Sequence, residues 1–277
     1  MSLATLSDVL IPAYRERSAV AGLVVLGWED ARAYVAAAEA LGAPVILQAG
    51  PGCRAHTPLP VLAAMFRHLA TEADVPVVAH LDHGYDVAEC QAALDCGFTS
   101  VMFDGSRLPL AENIARTRAV ADLAHAAGAS CEGEIGFVGY AAGAASEGTD
   151  PEEAATFARD TGIDAMAISV GNVHLQEQAG ADLDRSRIAA IEAATDLPLV
   201  IHGGSGVPHA TRRELARKTA ICKFNIGTEL RQAFGAALRA TITDNPDRFD
   251  RIALLSATHD PVKAAAIRAI RSVLPMS

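Results

Sequence analysis

Three histidines stand where apolar, strand-like runs give way to loops: His83 in VVAHLDHG, His174 in MAISVGNVH and His202 in LPLVIHGGSG. Imidazole is the commonest side-chain metal ligand, and three imidazoles with a fourth position open are the mark of a catalytic rather than a structural zinc site. A single strand-end histidine is ordinarily a satisfied core or surface residue. Three at corresponding ends point to a metalloenzyme. Asp82 precedes His83, so a carboxylate lies within reach of anything the metal holds, and Asp82 is the candidate acid/base. Strand alternation places His80 and Asp82 on one face and Leu81 and His83 on the other until the strand ends.

Further chemistry clusters at other strand ends. Glu132 and Glu134 in CEGEIG lie two residues apart and share a face directed inward. A carboxylate in an apolar interior needs a cation or a donor, so Glu134 is an alternative metal ligand or a group supporting the ligands. Asp104 in MFDGS is a second alternative ligand, with helix capping as its bland reading. IHGGSG and KFNIGTEL close the last two strands, where barrels bind phosphate with backbone N–H groups and a helix N-terminus. Gly203, Ser205, Asn225, Gly227 and Thr228 are the candidate phosphate-binding residues. A glycine-rich turn alone signals only a turn, but this one follows a metal-ligand candidate.

The elements that would position these residues form a regular alternation. Apolar runs such as AVAGLVVL, APVILQ, VPVVAHLD, TSVMFD, ASCEGEI, DAMAISV, LPLVIHG and AICKFN suit parallel strands covered on both faces. Between them lie helical patterns, among them Trp28–Leu41, Leu59–Glu72, Val87–Cys96, Leu110–Ala127 and Gly227–Thr241. About eight β-α units close a (β/α)8 TIM barrel. The expectation is one α/β domain over residues 1–277, with residues 242–277 as a C-terminal helical extension. Gly136–Asp150, rich in Gly, Ala and Ser, is expected to be a mobile loop over the site.

Bulk properties narrow the partners. A net charge of -10 leaves no basic footprint for nucleic acid or anionic lipid, so a small-molecule substrate is expected. Five cysteines without a C-x-x-C pair suggest a reducing, cytoplasmic setting. The start of the chain lacks a leader pattern, and no apolar run approaches the ~18 residues of a membrane span.

Taken together, PVILQ, HLDHG, MFDGS, EGEIG, the His174 loop, IHGGSG and NIGTEL resemble the class II, metal-dependent ketose-bisphosphate aldolases, the fructose- and tagatose-bisphosphate aldolase family. The resemblance implies zinc, or another divalent metal, on His83, His174 and His202, with Asp82 handling the proton of the hydroxyl at the cleaved bond. Glu134 and Asp104 match carboxylates around a second metal position. Gly203, Ser205, Asn225 and Thr228 match positions that hold the donor phosphate. The implied reaction is reversible retro-aldol cleavage of a ketose phosphate or bisphosphate through a zinc-stabilised enediolate, by a homodimer or homotetramer.

Departures from the family pattern point to diverged substrate recognition. Val24 stands where a substrate-contacting Asn is expected, and Gly50 where Ser or Thr is usual. Leu175, Gln176 and Glu177 follow His174, where the family has Gly and then Tyr or Lys. The family's loop acid would fall at Ala141 or Ala142, and Glu147 is the nearby carboxylate. Two rival readings remain on sequence: a zinc hydrolase, since the same site suits water activation, and a non-catalytic phosphosugar-binding protein.

Overall fold

In the computed structural model, which describes residues 3–275, eight parallel strands close on themselves. They are β2 (Val20–Val24), β3 (Val45–Ala49), β4 (Val77–Gly84), β5 (Ser100–Phe103), β6 (Ser130–Ile135), β7 (Ala165–Ile168), β8 (Leu199–Ile201) and β9 (Ile221–Ile226). Sequential neighbours pair in parallel, and β2 pairs with β9 to seal the barrel. Helices α2 (Trp28–Glu39), the short α3 (Pro51–His56) with α4 (Leu59–Glu72), then α5 (Val87–Cys96), α6 (Leu110–Ala126), α7 (Pro151–Thr161), α8 (Arg185–Ala194), α9 (His209–Lys218) and α10 (Thr228–Asp244) follow the strands in turn. The TIM barrel is thus as the alternation predicts.

Local sequence explains the helix starts. Asp86, Asp150 and Asp184 each accept backbone N–H bonds at the first turn of α5, α7 and α8, the role in which a short carboxylate side chain is strongest. Outward-facing strand residues, including Val77, Val101, Cys131 and Phe224, pack with the helices in one continuous core.

The sequence reading does not anticipate α1 (Leu6–Glu16), which enters behind a two-residue strand β1 (Leu3–Ala4). A reciprocal Thr5–Asp8 capping box starts α1. Its Leu6, Val9, Leu10 and Ala13 pack against the inward Val20, Ile46, Val78, Ala165, Val200 and Cys222. The helix therefore plugs the lower end of the barrel. Past α10, α11 (Arg251–Ser256) and α12 (His259–Arg271) follow. Val262, Ala265, Ala266 and Ala269 of α12 join the helix-sheet core. Small residues let α12 approach α2, where Ala33, Ala37 and Ala38 are equally small and buried.

Two register irregularities shape the site. Between Leu81 and Gly84 strand β4 carries one residue more than β5, and His83 there has φ 53°. Between β8 and β9 the ladder skips from Ile221 to Lys223, leaving Cys222 as the extra residue. Such bulges re-aim side chains next to active sites.

Candidate active site and metal centre

The upper barrel lumen is polar because alternation continues upward from the apolar plug: inward residues on β4 run Val78, His80, Asp82. Simple alternation would send His83 outward. The bulge and the left-handed backbone at His83 turn its ring back beside Asp82, which is how the alternation breaks at the strand end. His202 ends β8 as expected. His174 lies six residues past the end of β7, not at the strand end. It is held there by backbone bonds to the loop after β6: His174 N–H to Gly139, and Ala141 N–H to the His174 carbonyl.

The three imidazoles converge. Ring centroids of His83 lie 4.7 Å from His202 and 5.1 Å from His174, and His174 lies 5.6 Å from His202. Their nitrogens come within 4.8 Å of one another, close enough to share one ion. His83 Nδ1 faces Asp104 Oδ2 at 2.7 Å, and His202 Nε2 faces Glu132 Oε1 at 3.0 Å. Carboxylates accept only, so each of those nitrogens carries a hydrogen. Burial acts to lower His83, but Asp82, Asp104 and Glu134 outweigh it and raise the ring to about 10, so that without an ion its Nε2–H donates to His202 Nδ1 at 3.1 Å. A shared cation would take the place of that proton at the same nitrogen–nitrogen spacing. That spacing is near the ~3.3 Å separation of two ligands on a tetrahedral ion with Zn–N bonds of about 2.0–2.1 Å.

Glu134 supports the same reading. Its Oε2 is buried without a hydrogen-bond partner, 3.8 Å from His83 Nδ1 and 3.6 Å from His202 Nδ1. Burial, helped by nearby Asp104, pushes its carboxyl up to about 8 against the opposing charge of His83. His83, Asp104 and Glu134 form a second set able to hold an ion. Burial and the charges of His83 and His202 push His174 down to about 3, leaving it neutral and free to ligate.

Asp82 lies beside the ligands, and Asn225 Nδ2 donates to its Oδ1 at 3.2 Å. Burial acts to raise its carboxyl, but His83, His202 and His80 outweigh that and hold it below the usual range. Below the ligands, Lys223 Nζ donates to Glu132 Oε2 and to His80 Nε2, and His80 Nδ1 is left to donate to Ser100 Oγ at 2.8 Å. Sequence reasoning missed Lys223. The signal was present: Glu132 points inward and needs a cation.

Above these groups opens a cavity of about 270 Å³ whose lining includes Val24, Gly50, Asp82, His83, His174, Gly203, Ser205, Asn225, Gly227 and Thr228. All five phosphate-binding candidates therefore share one wall. Gly203 has φ 64°, and a Cβ there would sit 2.1 Å from the Val173 carbonyl, so only glycine fits. Ser205 Oγ accepts from the Gly227 and Glu229 N–H groups, tying the turn after β8 to the start of α10. Leu175 takes φ 57°, a left-handed conformation that glycine adopts without strain and a leucine does not.

The loop after β6 does lie over the site, fastened by paired Phe137–Glu147 backbone bonds. The Glu147 side chain is exposed and lines neither this cavity nor the adjacent one beside Asp104 and Glu134. Tyr140 and Tyr85 instead line both cavities, Tyr140 stacked on His174 at 5.0 Å.

Comparison with known proteins agrees with this geometry. The family model of class-II fructose-bisphosphate aldolase matches residues 4–274. The chain belongs to that family. It is 35% identical to a fructose-bisphosphate aldolase of Geobacillus stearothermophilus over 98% of this chain and 96% of the relative. It is equally, 35%, identical to a 6-phospho-5-dehydro-2-deoxy-D-gluconate aldolase of Shouchella clausii, covering 98% of this chain and 94% of that one. Among solved structures, the YdjI aldolase of Escherichia coli K12 superposes with TM-score 0.85 at 31% identity, covering 98% of this chain and 97% of that one. A fructose-bisphosphate aldolase of Campylobacter jejuni, at 22% identity, TM-score 0.81 and coverage of 98% and 95%, shares the fold. The class II aldolase is a carbon-carbon lyase, and the hydrolase and binding-protein readings are not favoured. No helix of the described residues is long and apolar enough to cross a membrane.

Proposed function

We propose that the protein cleaves, and in reverse joins, a ketose phosphate other than fructose 1,6-bisphosphate, with zinc or another divalent ion on His83, His174 and His202. The observation that carries this is the placement of Asp82 beside three convergent imidazoles under a cavity whose far wall is the glycine-rich turn. Zinc, when bound, would polarise the substrate carbonyl as a Lewis acid and stabilise the negative charge that develops there. Asp82 takes the proton from the hydroxyl next to the breaking bond, and the Asn225 amide keeps that carboxylate aimed. Gly203, Ser205, Asn225, Gly227 and Thr228 hold the donor phosphate through short neutral donors and the start of α10. Asp104 and Glu132 orient the ligand rings through the bonds described above. Glu134, and Asp104 after a ring movement, are alternative ligands to the ion.

Divergence from fructose 1,6-bisphosphate is supported by Val24 and Gly50, which offer the cavity no polar side-chain atom. Two relatives of equal identity act, by their names, on different sugars. A cytoplasmic homodimer or homotetramer completes the proposal; four of the five thiols are buried and all are unpaired. The test is cleavage of a panel of phosphorylated and unphosphorylated ketoses with and without chelator, alongside elemental analysis and sedimentation. Turnover that survives removal of all metal would overturn the reading.

A further inference from the structure

Two of the three imidazoles belong to the barrel, and the third does not. His83 and His202 sit at strand ends, and each ring is turned by a carboxylate, Asp104 Oδ2 at 2.7 Å and Glu132 Oε1 at 3.0 Å. His174 lies in the loop after β7, and among the described residues neither of its ring nitrogens has a hydrogen-bond or ion-pair partner. A metal-ligating histidine is ordinarily oriented by an acceptor on its second nitrogen. Something else must hold this ring.

What covers its face is Tyr140, from the loop after β6: the two rings stack with centroids 5.0 Å apart and planes 29° from parallel. The backbone brings them into register, since His174 N–H donates to the Gly139 carbonyl and Ala141 N–H to the His174 carbonyl, on either side of Tyr140. Tyr140 is itself set by a tight turn. Its N–H donates to the Ala144 carbonyl, and its carbonyl accepts the Gly143 N–H. A Cβ at Gly139 would sit 2.2 Å from that Ala144 carbonyl, so the turn closes only over glycine. Ser146 Oγ accepts the Gly139 N–H and donates to the Asn172 carbonyl, fastening one loop to the other. Tyr85 lies against His83 more loosely, at 6.4 Å, and that ring already has Asp104.

We propose that Tyr140 is the positioning residue for His174: its ring does for the loop-borne ligand what Asp104 and Glu132 do for the other two. The ion is then held by two arms of the barrel and by a third that the loops after β6 and β7 build together. This rests on the three-imidazole site proposed above and adds what keeps its third ligand in place. An offset aromatic stack fixes the plane of the imidazole and engages neither nitrogen, so one stays free for the ion. Without the stack the ring would have to be ordered when the ion binds, and the lost side-chain entropy would weaken affinity.

The experiment titrates zinc and cobalt(II) into the chelator-stripped full chain as wild type, Tyr140→Ala, Tyr140→Phe, Tyr85→Ala and His174→Ala. Tyr140→Ala raises the Kd for zinc about 10–100-fold, the range for loss of a group that orients a ligand. Tyr140→Phe, which keeps the stack, restores most of that loss, and Tyr85→Ala costs far less than Tyr140→Ala. The visible absorption of the cobalt(II) form shifts toward that of His174→Ala in Tyr140→Ala and stays with the wild type in Tyr140→Phe. Circular dichroism of the metal-free variants is unchanged, since Tyr140 is 38% exposed and outside the core. Zinc binding by Tyr140→Ala as tight as by the wild type overturns the proposal. So does equal weakening in Tyr140→Phe, because the hydroxyl and not the ring would then be at work. If His174→Ala binds zinc as tightly as the wild type, the three-imidazole reading itself fails.

Discussion

The lower and upper halves of one barrel lumen are built on the same strands and obey opposite rules. Below, Val20, Ile46, Val78, Ala165, Val200 and Cys222 meet the apolar face of α1 and are sealed from water. Higher on the same strands stand Gln48, His80 and Lys223, and nearer the rim Asp82, His202 and Asn225. The lower half is stabilised by burial of apolar surface. The upper half places charges where solvation is lost, and it is tolerable only because almost every polar atom has a partner. The unpartnered exceptions, Gln48, Glu134 Oε2 and Asn225 Oδ1, sit beside the site itself. Stability resides below and function above.

Perturbing each half separately tests that division. Chelation should abolish ketose phosphate cleavage while circular dichroism and the α1–lumen packing persist; a protein that unfolds on chelation would mean the metal also holds the fold. Asp82→Asn should lower kcat by about 10²–10⁴ at unchanged metal content, and a drop confined to KM would remove the acid/base role. Lys223→Met should cost about 3–5 kcal/mol by leaving the buried Glu132 without its cation. Replacing both partners, Glu132→Leu with Lys223→Met, should recover most of that stability in denaturant titrations, yet weaken metal binding about 10–100-fold because His202 loses its orienting acceptor. Ile46→Val, in the lower half, should cost only about 0.5–1.5 kcal/mol with kcat and metal content unaltered. Smallest of all, Leu175→Gly should gain under about 1 kcal/mol, left-handed strain of about 1–2 kcal/mol being offset by roughly 0.5–1 kcal/mol of added chain entropy.

The barrel was legible because its strands are covered on both faces, so each appears as an uninterrupted apolar run, and Asp caps mark where helices begin. The site was legible through residue types at strand ends: Asp82, His83 and the Gly203 turn line one cavity, His202 converges on His83, and Glu134 lines the adjacent cavity. What escaped had a physical reason in each case. Helix α1 carries its own signals, the Thr5–Asp8 capping box and the Leu6, Val9, Leu10 and Ala13 stripe, but Pro12 interrupts the pattern and its role as a plug appears only in its contacts with the lumen. The direction of His83 depends on a bulge, and a bulge is a property of two paired strands that one strand's sequence does not reveal. Lys223 reads as an interruption in an apolar run until its partner Glu132, 91 positions away, is seen. Tyr140 carries no motif and becomes visible only as a wall of the cavity. Glu147 was close in sequence to the missing loop acid, but its backbone bonds to Phe137 leave its carboxylate in solvent.

The extra residues in β4 and β9 make the catalytic layer unusually sensitive to chain length. Deleting Cys222 would keep the hydrogen-bonded ladder almost whole, yet the preceding segment would slide one step and the thiol that completes the apolar plug would vanish from it. Removing the matching step in β4 would swing the imidazole of position 83 toward the helices. A single-codon loss at either point is thus a switch of address for side chains, not a shortening, and it would silence the enzyme while leaving a barrel behind.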